Sequence, residues 1–111
     1  MNIINKVKRI IFYRTSSKEI QYKEAMEIIK KHSDAILLDV RSVQEFYEGH
    51  LPGAICIPVY DLANNIAKIA KDREQIIIIY CQTGARSKKA AKILDDLCYT
   101  NVYTIKNGLN N

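Results

Sequence analysis

The sequence contains no tryptophan, no Cys-x-x-C pair and no apolar run of membrane-spanning length. A transmembrane helix needs about 20 apolar residues, so we predict no stable insertion into a membrane.

The cysteines Cys56, Cys81 and Cys98 are odd in number and widely spaced. This spacing argues against a disulfide framework and against a structural zinc site. We therefore expect free thiols in a reducing, cytoplasmic environment, with Cys56 and Cys98 buried as small apolar side chains.

The composition is that of a single soluble globular domain. The chain has 111 residues, of which 48% are hydrophobic and 26% are charged, and these proportions are ordinary for such a domain. The formal net charge of +5 is mild, and the basic residues are scattered. This distribution favours small anions or an acidic partner, and it argues against nucleic acid because the chain has no recognised binding motif.

Residues 1–17 are predicted to form an N-terminal amphipathic helical extension, and residues 18–111 the main domain. The polar stretch Thr15–Ser17 separates the two. We interpret the extension as a helix that packs on the domain. The alternative, a helix that lies in a membrane interface, is weakened by its short length and lack of tryptophan. The apolar residues that share one face of this helix are Ile3, Ile4, Val7, Ile10 and Ile11.

The rest of the chain is organised around the stretch Ile76–Ser87. Ile76–Ile79 is an uninterrupted apolar run, which is typical of a strand buried on both faces of a parallel sheet. The run ends at Tyr80 and Cys81, and apolar residues recur at helical spacing after Ser87. A strand, a short loop and a helix place Cys81 at the carboxyl edge of the sheet, where open α/β folds bind their ligands.

Strands and helices alternate along the chain, which predicts an α/β fold with a largely parallel sheet and helices on both faces. The predicted strands are Ile20–Tyr22, Ala35–Val40, Ala54–Ile57, Ile76–Tyr80 and Asn101–Ile105. The predicted helices are Tyr22–Lys31, a helical turn at Val43–Glu48, a helix after the N-cap Asp61 that carries Leu62, Ile66 and Ile69, and Ser87–Tyr99.

The residues after Cys81 are suited to stabilise a thiolate, which is the nucleophilic form of cysteine. The backbone amides of residues 82–87 and the positive end of the following helix can point at the sulfur. Arg86 adds a full positive charge, and Gly84 lets the backbone turn tightly. Ser87 is placed to cap the helix or to donate a hydrogen bond to the sulfur. We therefore predict that Cys81 is a nucleophile.

Two motifs, the loop Cys81–Ser87 and the upstream segments Asp39–Arg41 and Gly49–Ala54, resemble those of the rhodanese family. The loop Cys81–Ser87 reads Cys-Gln-Thr-Gly-Ala-Arg-Ser and is similar to the family's active-site loop. Upstream, Asp39–Arg41 and Gly49–Ala54 read Asp-Val-Arg and Gly-His-Leu-Pro-Gly-Ala. They resemble the family's Asp-Val-Arg and Gly-His-Ile-Pro-Gly-Ala signature. Both motifs occur in the family's order, and the resemblance spans about residues 18–109.

The resemblance implies a single-domain sulfurtransferase with a three-layer fold, in which helices flank a five-stranded parallel sheet. Cys81 would take a sulfur from thiosulfate or a similar donor, hold it as a persulfide, and pass it to a thiol or cyanide. The implied partners are a small anionic sulfur donor and a thiol or protein acceptor, and no metal or organic cofactor is required. The implied site has Cys81 and Arg86 as catalytic residues and substrate contacts from Gln82, Thr83, Gly84, Ala85, Ser87 and Arg41.

The upstream motif carries four polar residues whose roles need separate weighing: Asp39, Arg41, Glu45 and His50. Their charges could shape the mouth of the site, with His50 as a general base. We favour a structural ion pair between Asp39 and Arg41, with His50 in a turn, because a persulfide relay does not require a dedicated base. Arg41 is retained as a second candidate for anion binding.

The C-terminus departs from the family pattern. Many members continue through Gly-Gly, a tryptophan and one more helix, whereas this chain has only Asn107–Asn111. We therefore expect the last helix to be short or absent and part of one sheet face to be left for the N-terminal extension to cover.

Three other functions compete with an enzyme acting on small sulfur donors. A protein-to-protein sulfur carrier or redox sensor would need the same cysteine and loop. A phosphatase or arsenate reductase typically has Cys-x5-Arg, whereas Cys81 and Arg86 are spaced as Cys-x4-Arg, a smaller cradle suited to one sulfur. A purely scaffolding domain is disfavoured because both residues are retained. The donor, the acceptor and the oligomeric state stay open.

Overall fold

The computed structural model describes residues 17–110. The extension predicted for residues 1–17 lies, apart from Ser17, outside this part of the chain. Five strands are present: β1 (Lys18–Ile20), β2 (Ile36–Asp39), β3 (Ile55–Cys56), β4 (Ile77–Tyr80) and β5 (Val102–Ile105). Four α-helices accompany them: α1 (Tyr22–Lys31), α2 (Val43–Glu48), α3 (Leu62–Ile69) and α4 (Ala85–Asp96). Short 3₁₀ turns occupy Val59–Asp61 and Gly108–Asn110.

The five strands form one parallel sheet in the order β1-β5-β4-β2-β3. The predicted α/β class with a five-stranded parallel sheet is confirmed. Strand β4 lies at the centre of the sheet, and its Tyr80 is paired in register with Asp39 at the end of β2. The same edge therefore holds the last residue before Cys81 and the first residue of the Asp-Val-Arg motif.

Strand β4 is apolar throughout because both of its faces are covered. Ile77 and Ile79 belong to the larger core cluster, which includes Leu62 of α3 and Leu94 of α4. The alternate residues of the strand, Ile78 and Tyr80, belong to a second cluster with Ala25 of α1. Successive side chains of a strand point to opposite faces, so a strand covered on both faces has no side chain directed at solvent.

Helix α4 differs from its prediction at both ends. It begins at Ala85, two residues before the predicted Ser87, because Gly84 takes a left-handed conformation with φ of 104° and serves as the N-cap. It ends at Asp96, before the predicted Tyr99. The helix therefore begins close enough to Cys81 for its first amides to contact the sulfur.

The prediction that Cys98 is buried in the last turn of this helix is wrong. Cys98 lies beyond the helix with φ of 69° and is exposed. Its amide donates to the Asp95 carbonyl, and the Tyr99 amide donates to the Leu94 carbonyl, each at 3.0 Å. This pair of bonds is the Schellman motif, in which Cys98 takes the left-handed position that glycine usually fills.

The other cysteine outside the loop, Cys56, is only half-buried, so its predicted burial holds in part.

Asp61 precedes α3 as predicted, but its side chain makes no capping hydrogen bond. After β5, the structure shows the 3₁₀ turn Gly108–Asn110. No helix within residues 17–110 is both long enough and apolar enough to cross a membrane.

Candidate active site

Cys81 lies at the carboxyl edge of the sheet, immediately after β4, and its side chain is fully buried. The loop from Cys81 to Gly84 leads directly into α4. Because Gly84 adopts φ of 104°, the chain reverses in a way that L-residues with a side chain rarely permit. The reversal turns the backbone amides of this loop toward the sulfur.

Two backbone amides donate hydrogen bonds to the sulfur of Cys81. The N–H of Gly84 lies 3.1 Å from Sγ, and the N–H of Ser87 lies 3.4 Å from it. The Ser87 hydroxyl is 3.7 Å from Sγ and donates to the Gly84 carbonyl at 2.9 Å. Ser87 is the third residue of α4, so the first turn of the helix uses one of its free amides to hold the sulfur. The predicted contact between Ser87 and the sulfur is present, whereas its predicted N-cap position belongs to Gly84.

These donors decide the charge state of the thiol. Burial by itself raises the pKa of Cys81, because a thiolate loses its hydration in the interior. The Ser87 amide and hydroxyl and the amides of Gly84 and Thr83 outweigh burial, so the pKa of Cys81 falls below its usual 9.0. The donors of the loop therefore make the thiolate of Cys81 easier to form than that of an ordinary cysteine.

Arg86 is held by a partner that the sequence did not reveal. Its Nη1 and Nη2 donate to Oε1 and Oε2 of Glu45 at 2.6 and 2.9 Å, which forms a bidentate pair. The hydrogen bonds of Glu45 are the main cause of a raised Arg86 pKa; burial opposes them, and the negative charges of Glu45 and Cys81 add to them. The guanidinium is therefore within electrostatic reach of Cys81, while its donors are directed at Glu45.

Glu45 is itself fixed by the start of α2. Ser42 and Glu45 form a capping box, in which the Ser42 amide and hydroxyl donate to Oε1 at 3.1 and 3.0 Å. The Glu45 amide returns a hydrogen bond to the Ser42 hydroxyl at 3.1 Å. With the Arg86 hydrogen bonds as the largest cause, the pKa of Glu45 is lowered to about 2. The carboxylate is therefore ionised and already aimed at the loop.

A second arginine–carboxylate pair ties the upstream motif together. Arg41 is 4% exposed and Asp39 is fully buried, and Arg41 Nη2 lies 2.8 Å from Asp39 Oδ2. The same nitrogen donates to the Gly49 carbonyl at 2.6 Å. This arrangement supports the structural interpretation of the pair. Since the Arg41 side chain is buried and occupied, it has no part in the mechanism proposed below.

The Gly-His-Leu-Pro-Gly-Ala segment contacts the strand that carries the cysteine. The amide of Leu51 donates to the Tyr80 hydroxyl at 3.0 Å. Burial is the main cause of a raised pKa of Tyr80, so its hydroxyl stays neutral. His50 is exposed, its Nδ1 donates to the Phe46 carbonyl at 2.8 Å, and its ring stacks on that of Phe46. These contacts support the turn role of His50 over a role as a base.

The remaining predicted loop residues differ in what they offer. Thr83 and Ala85 are exposed, and Thr83 acts on the sulfur through its amide. The Gln82 side chain donates to the Asn110 side chain at 2.9 Å. Among residues 17–110, no group of three or more His, Cys, Asp or Glu side chains is placed to hold a metal ion.

The turn Gly108–Asn110 supports the loop from outside, and these contacts were not predicted from the sequence. The Leu109 amide donates to the Cys81 carbonyl at 3.0 Å, and the Asn110 amide donates to the Gln82 carbonyl at 3.1 Å. Gly108 lies so close that a Cβ there would overlap the Cys81 carbonyl. The available signal was the glycine that follows β5, the strand beside β4.

Comparison with known proteins places this geometry in a family. A family model described as rhodanese-like domain matches residues 21–111. A sulfurtransferase of Allochromatium vinosum is 30% identical over 82% of this chain and 83% of its own. The thiosulfate sulfurtransferase GlpE of Coxiella burnetii is 30% identical over 82% of each chain. A solved structure described as a rhodanese with anions from E. coli is 35% identical, with a TM-score of 0.62, over 68% of this chain and 88% of that one. The chain therefore belongs to the family of rhodanese-like domains, whose members similar to it include sulfurtransferases.

Proposed function

We propose that this protein is a sulfurtransferase that carries a sulfane sulfur on Cys81 as a persulfide. The observation that carries the proposal is the pair of amides, from Gly84 and Ser87, that donate to Sγ at 3.1 and 3.4 Å. Amides fixed in a buried loop stabilise negative charge without reorganising during the reaction. They suit a thiolate before the transfer and a persulfide anion after it.

In the first step the Cys81 thiolate attacks the outer sulfur of a donor such as thiosulfate. A bond forms between Sγ and that sulfur, and the sulfur–sulfur bond of thiosulfate breaks. Sulfite leaves with the bonding electron pair, so the enzyme keeps one negative charge, now on the outer sulfur of the persulfide. No proton is transferred in this step, which agrees with the lowered pKa of Cys81.

In the second step an acceptor thiolate or cyanide attacks the outer sulfur of the persulfide. The bond between that sulfur and Sγ breaks, and the electron pair returns to Sγ as a thiolate. The products are an acceptor persulfide or thiocyanate and the original enzyme. Two half-reactions that share one covalent intermediate give ping-pong kinetics.

The position of Arg86 argues against phosphate ester hydrolysis. A phosphatase of this type needs its arginine to bind the phosphoryl oxygens, whereas both terminal nitrogens of Arg86 are bound to Glu45. The loop also has four residues between Cys81 and Arg86, which is the smaller of the two cradles.

The proposal is tested by following thiocyanate formation from thiosulfate and cyanide. We expect activity in the wild type and in Cys98→Ser, since Cys98 is exposed and lies outside the loop. We expect no activity above background in Cys81→Ser, because a hydroxyl cannot carry the sulfur. Equal activity of the wild type and Cys81→Ser would contradict the proposal. A protein-to-protein carrier would instead show a stable Cys81 persulfide with slow release to cyanide.

A further inference from the structure

Apart from the Cys81 thiolate, the cysteine loop has a single formal charge, and that charge is already matched. Of residues 82–87, only Arg86 is charged. Glu45 binds it through two parallel hydrogen bonds, with both oxygens engaged. A bidentate pair of this kind is directional and strong compared with a single contact. An incoming donor therefore meets the Cys81 thiolate in a loop whose single cation is already offset, and the backbone amides are the remaining donors to negative charge.

The position of Glu45 is set independently of any donor. Its Oε1 accepts hydrogen bonds from the Ser42 amide and hydroxyl as well as from Arg86. The carboxylate thus stays in place when the pair is challenged by a competing anion. The pair is also open to solvent, since the side chains of Arg86 and Glu45 are 38% and 32% exposed. A small anion that enters from solvent is therefore exposed to both charges.

Given the sulfur transfer proposed above, on which this inference rests, we propose that Glu45 is a specificity-determining residue that sets the donor charge the site accepts. By offsetting Arg86, it reduces the attraction of a dianion such as thiosulfate more than that of a monoanion. The preferred donors are then sulfane-sulfur compounds of low negative charge, such as organic thiosulfonates and persulfides. Glu45 acts through Arg86 and does not touch the reacting sulfur.

The two donor classes undergo the same covalent step. With thiosulfate, the Cys81 thiolate gains the outer sulfur and sulfite leaves with the electron pair. With benzenethiosulfonate, the thiolate gains the terminal sulfur and benzenesulfinate leaves with the electron pair. The first donor carries two negative charges and the second carries one, so their rates differ in the electrostatic contribution that Glu45 controls.

The test measures the second-order rate of Cys81 persulfide formation, by intact-protein mass, with each donor separately. Glu45→Gln removes the negative charge, while glutamine can still complete a capping box. Glu48→Gln is the matched control, because Glu48 is an exposed carboxylate on the same helix. The quantity compared is the ratio of the thiosulfate rate to the benzenethiosulfonate rate. Both rates come from one preparation, so the ratio does not depend on the folded fraction.

We expect Glu45→Gln to raise this ratio about threefold at low ionic strength and to lose most of that gain in about 0.5 M salt, because screening weakens an exposed charge. Glu48→Gln should leave the ratio within about 1.3-fold of the wild type, because the Glu48 carboxylate is not paired with a residue of the loop. An unchanged ratio in Glu45→Gln, or an equal rise in Glu48→Gln, would overturn the role of Glu45. Absence of a Cys81 persulfide from either donor in the wild type would instead overturn the proposed function.

Discussion

Two arginine–carboxylate pairs lie at the same edge of the sheet, and they differ in burial. Asp39 and Arg41 are 0% and 4% exposed, and they connect the end of β2 to the Gly49 carbonyl. Glu45 and Arg86 are about one third exposed, and they connect α2 to the cysteine loop. The two pairs consist of similar chemical groups but contribute differently, because solvent screens the charges of the exposed pair and not those of the buried pair. The buried pair is part of the scaffold, and the exposed pair faces solvent beside the cysteine loop.

The difference follows from the cost of moving a charge out of water. A buried charge that loses its partner is strongly destabilising, whereas an exposed one is rehydrated and screened. The buried pair is therefore sensitive to any change that leaves one charge alone. Removing a charge from the exposed pair costs little free energy of unfolding. We therefore expect its main effect on the rate at which sulfur donors react.

The largest effect is predicted for Asp39→Ala. This change leaves the Arg41 guanidinium buried without its carboxylate, and we expect a loss of about 3–5 kcal/mol in the free energy of unfolding. Urea denaturation measures it. Asp61→Ala is the control, since Asp61 is exposed and makes no capping hydrogen bond, and it should stay within about 0.5 kcal/mol of the wild type. A loss below 1 kcal/mol for Asp39→Ala would show that the buried pair is not part of the scaffold.

The next effect is predicted for Gly108→Ala, which tests the turn behind the loop. The added Cβ would overlap the Cys81 carbonyl, so the loop must move. We expect persulfide formation to slow at least about tenfold, because small displacements of reacting groups are costly. Gly53→Ala is the control, since Gly53 also has a positive φ, 82°, but nothing lies within 4 Å of the added Cβ. If Gly108→Ala and Gly53→Ala slowed persulfide formation equally, the effect at Gly108 would come from backbone strain and not from overlap with the Cys81 carbonyl.

A smaller effect is predicted for Ser87→Ala, which removes the hydroxyl that lies 3.7 Å from the sulfur. The lowered pKa of Cys81 means a larger thiolate fraction at neutral pH than in a thiol with the usual 9.0. Without the hydroxyl we expect the pH midpoint of iodoacetamide alkylation to rise by about one unit. The background is Cys56→Ser/Cys98→Ser, so that only Cys81 reacts. Thr83→Ala should leave the midpoint in place, because Thr83 acts through its amide, and an unmoved midpoint in Ser87→Ala would contradict this assignment.

The smallest effect on stability is predicted for Glu45→Gln. Folding lowers the pKa of Glu45 from 4.5 to about 2, so the ionised carboxylate stabilises the fold above about pH 4.5. That contribution is lost as the pH falls toward 2. Because the pair is exposed, we expect a loss below about 1 kcal/mol at pH 7 and a shallower decline between pH 4.5 and 2. A loss in the free energy of unfolding as large as that predicted for Asp39→Ala would contradict the distinction between the buried pair and the exposed pair.

The features that the sequence predicted are those encoded within short stretches. The run Ile76–Ile79 indicated a doubly buried strand, and strand β4 is buried on both faces. The loop motif placed Cys81 after that strand and before a helix, as found. Each of these depends on neighbours in sequence, so an apolar pattern and a few turn residues are sufficient.

The features that were missed depend on distant contacts or on unusual residues. Glu45 and Arg86 are 41 residues apart and meet only because β2 and β4 are adjacent. The contact of Gly108 with the Cys81 carbonyl was missed because it arises from the packing of two chain segments. The position of Cys98 was predicted wrongly because the left-handed residue that ends a helix is usually glycine. With cysteine at this position, the sequence did not indicate where the helix ends.

The central claim is that Cys81 carries the sulfur, and intact-protein mass with peptide mapping after incubation with a sulfane-sulfur donor tests it most directly. We predict a gain of one sulfur atom on the wild type and on Cys98→Ser, located on the peptide that contains Cys81 and removed by cyanide. Cys81→Ser should gain none. A gain retained in Cys81→Ser, or located on Cys56 or Cys98, would contradict the account.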